Sequence, residues 1–337
     1  MESMEPKFEK KSSIQRIVGG SDEEKEKVKS FLEERFTDQN IDETEEIEGL
    51  QKKELEKTTE EVEMIDLVNK ETNKLLAKYD LPESVIPRQN VHIFSQKNYE
   101  ELRGRTEKST GKAHFASYSQ AVFMRRINSN IIFTKEAFHE FLHFKSYQAF
   151  QKQMTEEGRF NLYRLGLAFY SRDGKREYFR NLNEALTEEL VKRFYFNNSE
   201  ELKNNPLFKK EVEEIENIRK VFLDNAKTKE DEKRAMDIIE ITPVRKKGFK
   251  KIREIYTFTN SEGRDMLNNL LDKLYQKNQD KFKDQEEVFD VFAKSMLDGN
   301  LLPVGKLVDR TLGKGSFRKI GELDNNIEEQ NKFIESL

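Results

Sequence analysis

Apolar residues recur at helical intervals near both ends of this 337-residue chain, and in short clustered runs through its middle. Ser21 opens the first helical stretch, in which Val28, Phe31, Leu32 and Phe36 share a stripe. Glu24, three positions after Ser21, completes a capping-box spacing. Residues 37–48 are acidic and lack periodicity. A second helical stretch runs from Leu50 to Tyr79, with Val62, Ile65, Leu67, Val68, Leu75 and Leu76 on one side. Pro82 and Pro87 then mark a change of texture. Val91 to Phe94 is a short strand signal, Lys112 to Arg126 holds β-like runs ending in Ala121-Val122-Phe123-Met124, and Ile131-Ile132-Phe133 is another short apolar run. Thr134 can cap a helix from Lys135 to about Lys152. Tyr163 to Tyr170 and Lys175 to Arg180 read as strands around Asp173-Gly174, a hairpin signal. Leu182 to Phe196 is a further long helix.

Beyond residue 200 the pattern is almost wholly helical, as in Leu267, Leu270, Leu271 and Leu274, or Val288, Phe289, Val291, Phe292, Met296 and Leu297. Asn225 to Asp237 is charged and reads as a loop or lid, and Pro243 as a break. The expected organisation is a disordered tail at 1–20, a charged helical region at 21–81, an α+β unit at 82–200 and a helical subdomain at 201–337. The fold class is α+β: a small sheet packed on two long helices, with a largely helical C-terminal part. The 21–81 region reads as an arm, a prosegment or a helical pair packed on the main unit.

Composition narrows the chemistry. The chain has no cysteine, so disulfides, thiolate metal sites and cysteine nucleophiles are excluded. Lys+Arg is 60 against 64 Asp+Glu, so there is no global polycation for nucleic acid. Six cations between Arg245 and Arg253 read as a solvated surface rather than a nucleic-acid patch. Gly313-Lys314-Gly315-Ser316 lacks the spacing of a phosphate loop. No apolar run reaches membrane-spanning length, and the first twenty residues lack a signal-peptide core, so a cytoplasmic location is expected.

Only four histidines are present, and two of them stand in His139-Glu140-Phe141-Leu142-His143. Histidines four apart on a helix share one face, where both imidazoles reach one zinc ion at about 2.0–2.1 Å. Glu140, beside the first ligand, can take a proton from a zinc-bound water. Apolar flanks at Phe138, Leu142 and Phe144 bury this helix. Zinc needs a third protein ligand and an open position. The metzincin continuation, a glycine and a third histidine soon after His143, is absent, and His92 and His114 lie upstream. Downstream, Asn183-Glu184-Ala185-Leu186-Thr187-Glu188 places Glu184 and Glu188 one turn apart. One can bind zinc while the other accepts a hydrogen bond from a ligand imidazole.

H-E-x-x-H followed on a later helix by N-E-x-x-T-E resembles the gluzincins, the thermolysin-like and aminopeptidase-like zinc metallopeptidases. The resemblance covers about residues 112–196. It implies a zinc metallopeptidase-like domain binding one Zn2+ ion, with His139, His143 and Glu184 as ligands. It implies Glu140 as general base and Glu188 as the carboxylate orienting His139. The interval from His143 to Glu184 is longer than in thermolysin-like enzymes, and the Tyr163–Arg180 hairpin accounts for the extra length. The implied activity is hydrolysis of a peptide or protein substrate. No Gly-Xaa-Met-Glu-Asn aminopeptidase signature occurs, which favours an endopeptidase. In that family an edge strand beside the active helix pairs with extended substrate, and Ala121 to Arg126 is either that strand or an ordinary one. Tyr118, Tyr163, Tyr178, Tyr256 and His114 are candidates to stabilise an oxyanion, whereas Tyr147 reads as packing. The alternative is a non-catalytic protein-binding module on the same scaffold, against which the intact Glu140 argues.

Overall fold

The computed structural model describes residues 14–37, 53–106, 111–152, 160–244, 252–324 and 326–337. It is a mixed α and β structure, consistent with the expected α+β class. Among the described residues ten strands are formed: β1 (Ile14–Val18), β2 (Val91–Phe94), β3 (Ala113–Ala116), β4 (Ala121–Arg125), β5 (Gln148–Lys152), β6 (Phe160–Leu165), β7 (Ala168–Tyr170), β8 (Glu177–Tyr178), β9 (Ile238–Val244) and β10 (Ile252–Thr257). They make a five-stranded sheet in the order β1-β5-β6-β7-β8, a three-stranded sheet β2-β4-β3, and the hairpin β9–β10.

The chemistry sits on two helices, Asn130–Lys145 (the histidine helix) and Arg180–Asn197 (the glutamate helix). The histidine helix starts earlier than the sequence pattern indicates. Ser129, not Thr134, is its N-cap, accepting from the Ile132 amide at 3.1 Å. Ile131-Ile132-Phe133 is therefore its buried first turn and not a separate run. Glu211 explains the early start: its carboxylate accepts from the Asn130 amide at 2.9 Å and from the Ser129 hydroxyl at 2.6 Å. A helix N-terminus carries orphan amides and a partial positive charge, so a carboxylate there satisfies both. The helix ends at Lys145, and the residues expected to prolong it instead form β5.

Phe138 on the histidine helix stacks on Phe194 of the glutamate helix, with ring centroids 4.4 Å apart. Phe144 lies between Phe36 and Phe115, which ties helix Asp22–Thr37 and β3 to the same core. The capping box of that first helix forms, Ser21 and Glu24 exchanging bonds at 2.7 and 3.2 Å. The second N-terminal helix is shorter than its apolar stripe indicated, Thr59–Lys78, because Thr58 and Glu61 make a capping box of their own.

Other expectations meet the structure as follows. Ile14–Val18, inside the stretch expected to be disordered, is a strand parallel to β5; residues 1–13 lie outside the described residues, as do 38–52, where the acidic loop was expected. Of the two readings of the Ala121–Arg125 strand, the ordinary one holds: β4 pairs with β2 on one side and β3 on the other, so β2 and β3 are the outer strands. The 201–337 region is not wholly helical, since Ile238–Val244 and Ile252–Thr257 pair antiparallel. That run is rich in β-branched residues, and Pro243 is tolerated because each strand of a two-stranded sheet keeps one free edge. The charged stretch before it, expected as a loop or lid, contains helix Lys229–Met236, started by a Thr228–Asp231 capping box. No described helix is long and apolar enough to cross a membrane.

The Tyr163–Arg180 segment makes two turns where one was expected. Asp173-Gly174 joins β7 to β8, and Gly166 turns β6 into β7 at φ 57°. Asn183 Oδ1 accepts from the Leu167 amide at 2.8 Å, so this turn is docked on the glutamate helix. A Cβ on Gly166 would collide with that same oxygen.

Candidate metal centre

The two helices meet so that His139, His143 and Glu184 converge. One ligand atom from each lies within 4.8 Å of the others, a grouping that could hold a metal ion. The His139 and His143 Nε2 atoms are 3.0 Å apart. Glu184 sets Oε2 3.3 Å from His139 Nε2 and Oε1 3.5 Å from His143 Nε2. Four-coordinate zinc with bonds of about 2.0–2.1 Å requires ligand atoms roughly 3.3 Å apart. The two Nε2 atoms and the nearer Glu184 oxygen of each, at 3.0, 3.3 and 3.5 Å, lie near that separation.

The ring nitrogens support the fit. Nδ1 of His139 and Nδ1 of His143 are buried and have no hydrogen-bond partner among the described residues, while both Nε2 atoms face one another. Two imidazole nitrogens and a carboxylate are a donor set suited to a borderline-soft divalent cation. His143 is buried, whereas Glu184 keeps 36% of its side chain exposed, so the site is reached from the glutamate side.

Electrostatics divide the four carboxylates and imidazoles into roles. Burial pushes the Glu140 carboxyl above its ordinary range, opposed by His139 and His143 and reinforced by Glu184 and Glu136. A carboxyl with a raised pKa is a stronger base than an ordinary one. Burial works against a charge on Glu184 too, but His143 and His139 outweigh it and hold this carboxylate well below its usual range. Burial also opposes a charge on His139; the Glu184 hydrogen bond and the Glu140 and Glu188 carboxylates outweigh it and raise His139 to about 9.

Glu188, expected behind His139, stands there: its Oε1 is 3.8 Å from His139 Nδ1 and the side chain is buried. Burial raises its pKa, and Lys135 and His139 more than reverse that, so it is anionic. Lys135 donates to Glu188 Oε1 at 2.8 Å, and Thr259 donates to the same oxygen. Neither residue was singled out from sequence. Lys135 carried a signal, being one turn before His139 on the same face; Thr259, 71 positions from Glu188, carried none.

The other histidines are engaged elsewhere. His92 Nδ1 pairs with Glu54 at 2.8 Å, His114 Nδ1 meets Tyr99 at 3.1 Å, and both rings stack on Phe123. Tyr118 packs edge-on against Phe150 and Tyr163 against Phe169. Tyr178 lies in β8, packed against the core, and the Tyr256 side chain lies outside the described residues. Tyr147 packs beneath the Arg164 guanidinium, 4.7 Å from ring centroid to charge. The Glu184-bearing helix is held from afar: Asp324 accepts from the Arg180 and Asn181 amides at 2.6 and 2.9 Å. Comparison of the chain with known protein families, curated proteins and solved structures returned no match.

Proposed function

We propose that this chain is a gluzincin-like, zinc-dependent peptidase, acting in the cytoplasm and more an endopeptidase than an aminopeptidase. The observation that carries the reading is the convergence of His139, His143 and Glu184 at zinc-ligand separations, with the buried Glu140 beside them. In this reading the three side chains hold one Zn2+ ion, which when bound supplies a Lewis acid for a water molecule and a scissile carbonyl. Glu140 takes the proton of the attacking water and passes it to the leaving amine. Glu188 keeps the His139 ring oriented through Nδ1. Extended substrate pairs with β3, one of the two outer strands of its sheet and packed against the histidine helix.

The variant Glu140→Gln tests the chemistry. It keeps the shape of the side chain and leaves all three ligands in place. It should bind zinc in the same stoichiometry as the parent and lose peptide hydrolysis by about 10²-fold or more. Cleavage of a peptide library at the parent rate by the Gln variant would overturn the mechanism. Near-stoichiometric zinc with no hydrolysis by the parent would point to the binding module instead.

A further inference from the structure

We propose that Lys135, together with Thr259, is a positioning residue for the metal centre, and that it fixes Glu188 beside Nδ1 of His139. The inference rests on the metal-centre reading above and extends it by one layer of side chains. Lys135 lies one turn before His139 on the histidine helix and is only 5% exposed. Its ammonium has three acceptors: Glu188 Oε1 at 2.8 Å, Glu136 Oε1 at 3.3 Å and Thr259 Oγ1 at 3.5 Å.

The contacts of Glu188 carry the argument. Both neighbours, Lys135 and Thr259, bind the same oxygen, Oε1. Oε2 is buried and has no partner among the described residues. His139 Nδ1 is likewise buried and without a partner. An imidazole that gives Nε2 to a metal must carry its proton on Nδ1, and that proton needs an acceptor. Glu188 is the carboxylate that stands there: its Oε1, the oxygen held by Lys135 and Thr259, is 3.8 Å from Nδ1. Lys135 and Thr259 thereby hold the carboxylate against the ring, where a small adjustment closes the bond to Nδ1. Three elements meet here: the histidine helix, the glutamate helix, and the segment following β10 that supplies Thr259.

The sign of one mutational effect separates this role from simple charge. An ammonium near the site repels a divalent cation, so removing it should tighten metal binding if charge alone matters. If Lys135 acts by positioning Glu188, removing it should loosen metal binding, as loss of outer-shell partners does. The full-length chain is stripped with a chelator and titrated with Zn2+ against a chromophoric competitor, and the Co2+-loaded form is examined by visible absorption. Lys135→Met should weaken zinc binding by about tenfold and shift the Co2+ bands, while Lys135→Arg should stay within about threefold of the parent. Thr259→Val, which removes a single hydroxyl, should weaken binding by about two- to fivefold, and it decides the matter if the Met variant does not fold. Unchanged or tighter zinc binding with unchanged Co2+ bands in the Met variant, or in the Val variant alone if the Met variant does not fold, would overturn the inference while leaving the metal centre intact. A parent chain that binds no zinc would overturn the metal centre itself, and this inference with it.

Discussion

Zinc should stabilise this protein through His143, and the size of the effect can be worked out. A ligand that binds only the folded state adds RT ln(1 + [L]/Kd), about 4 kcal/mol when free Zn2+ is buffered a thousandfold above its Kd. Unfolding entropy is about 2.1 cal/mol/K per residue, hence roughly 0.7 kcal/mol/K for a chain of this length. The midpoint of thermal unfolding should therefore rise by about 6 °C on passing from chelator to saturating zinc. The perturbation is His143→Ala. It deletes one of the three converging side chains and leaves two, one of them partly exposed. It also removes a buried ring, so its absolute melting point will fall for reasons of packing alone. The quantity to compare is the zinc-dependent increment within each protein, read by differential scanning calorimetry with and without chelator. The parent should show the full increment and the variant about 1 °C or less. No increment in the parent refutes the metal centre. An equal increment in His143→Ala shows that zinc acts through other carboxylates, and refutes the assignment of the ligands.

Two further outcomes follow from contacts away from the metal. Asp324→Ala leaves the Arg180 and Asn181 amides without their carboxylate cap, which should cost about 1–2 kcal/mol in urea unfolding and weaken zinc binding severalfold by loosening the first turn before Glu184; unaltered stability would show that solvent replaces the cap. Burial, with a smaller effect of Arg103, depresses the His114 imidazole to about 4. Above pH 6.5 both folded and unfolded chains leave it neutral. As pH falls from about 6.5 to 4 only the unfolded chain takes the proton, so His114 should remove at most about 3 kcal/mol of stability across that window. Unfolding free energies at pH 7 and 4.5 should therefore diverge less in His114→Gln than in the parent, and equal slopes would refute the assignment.

The elements legible in the sequence were those specified by neighbours in the chain. The Ser21–Glu24 capping box formed as spaced, because a cap involves atoms only three residues apart. The same holds for His139 and His143: a spacing of four on a helix puts two rings on one face whatever surrounds it. The errors have the opposite character. The histidine helix begins at Asn130 because Glu211, some eighty residues away, meets its amides. Whether β4 is inner or edge stayed open in the sequence, because alternation of side chains cannot tell the two apart; β2 and β3 flank it and make it inner.

Helix periodicity thus sufficed to bring two imidazoles and Glu140 together, and the absence of cysteine turned the search for a third ligand toward oxygen or another histidine. It was the packing of the two helices, set by contacts such as Phe138 on Phe194, that brought Glu184 to 3.3 and 3.5 Å from those rings. Packing also decided that Glu188 should share its buried site with Lys135 and Thr259. The physical reason is range. Backbone hydrogen bonding fixes geometry over one or two turns, whereas distances between helices depend on side chains distant in the chain that meet only when the core closes.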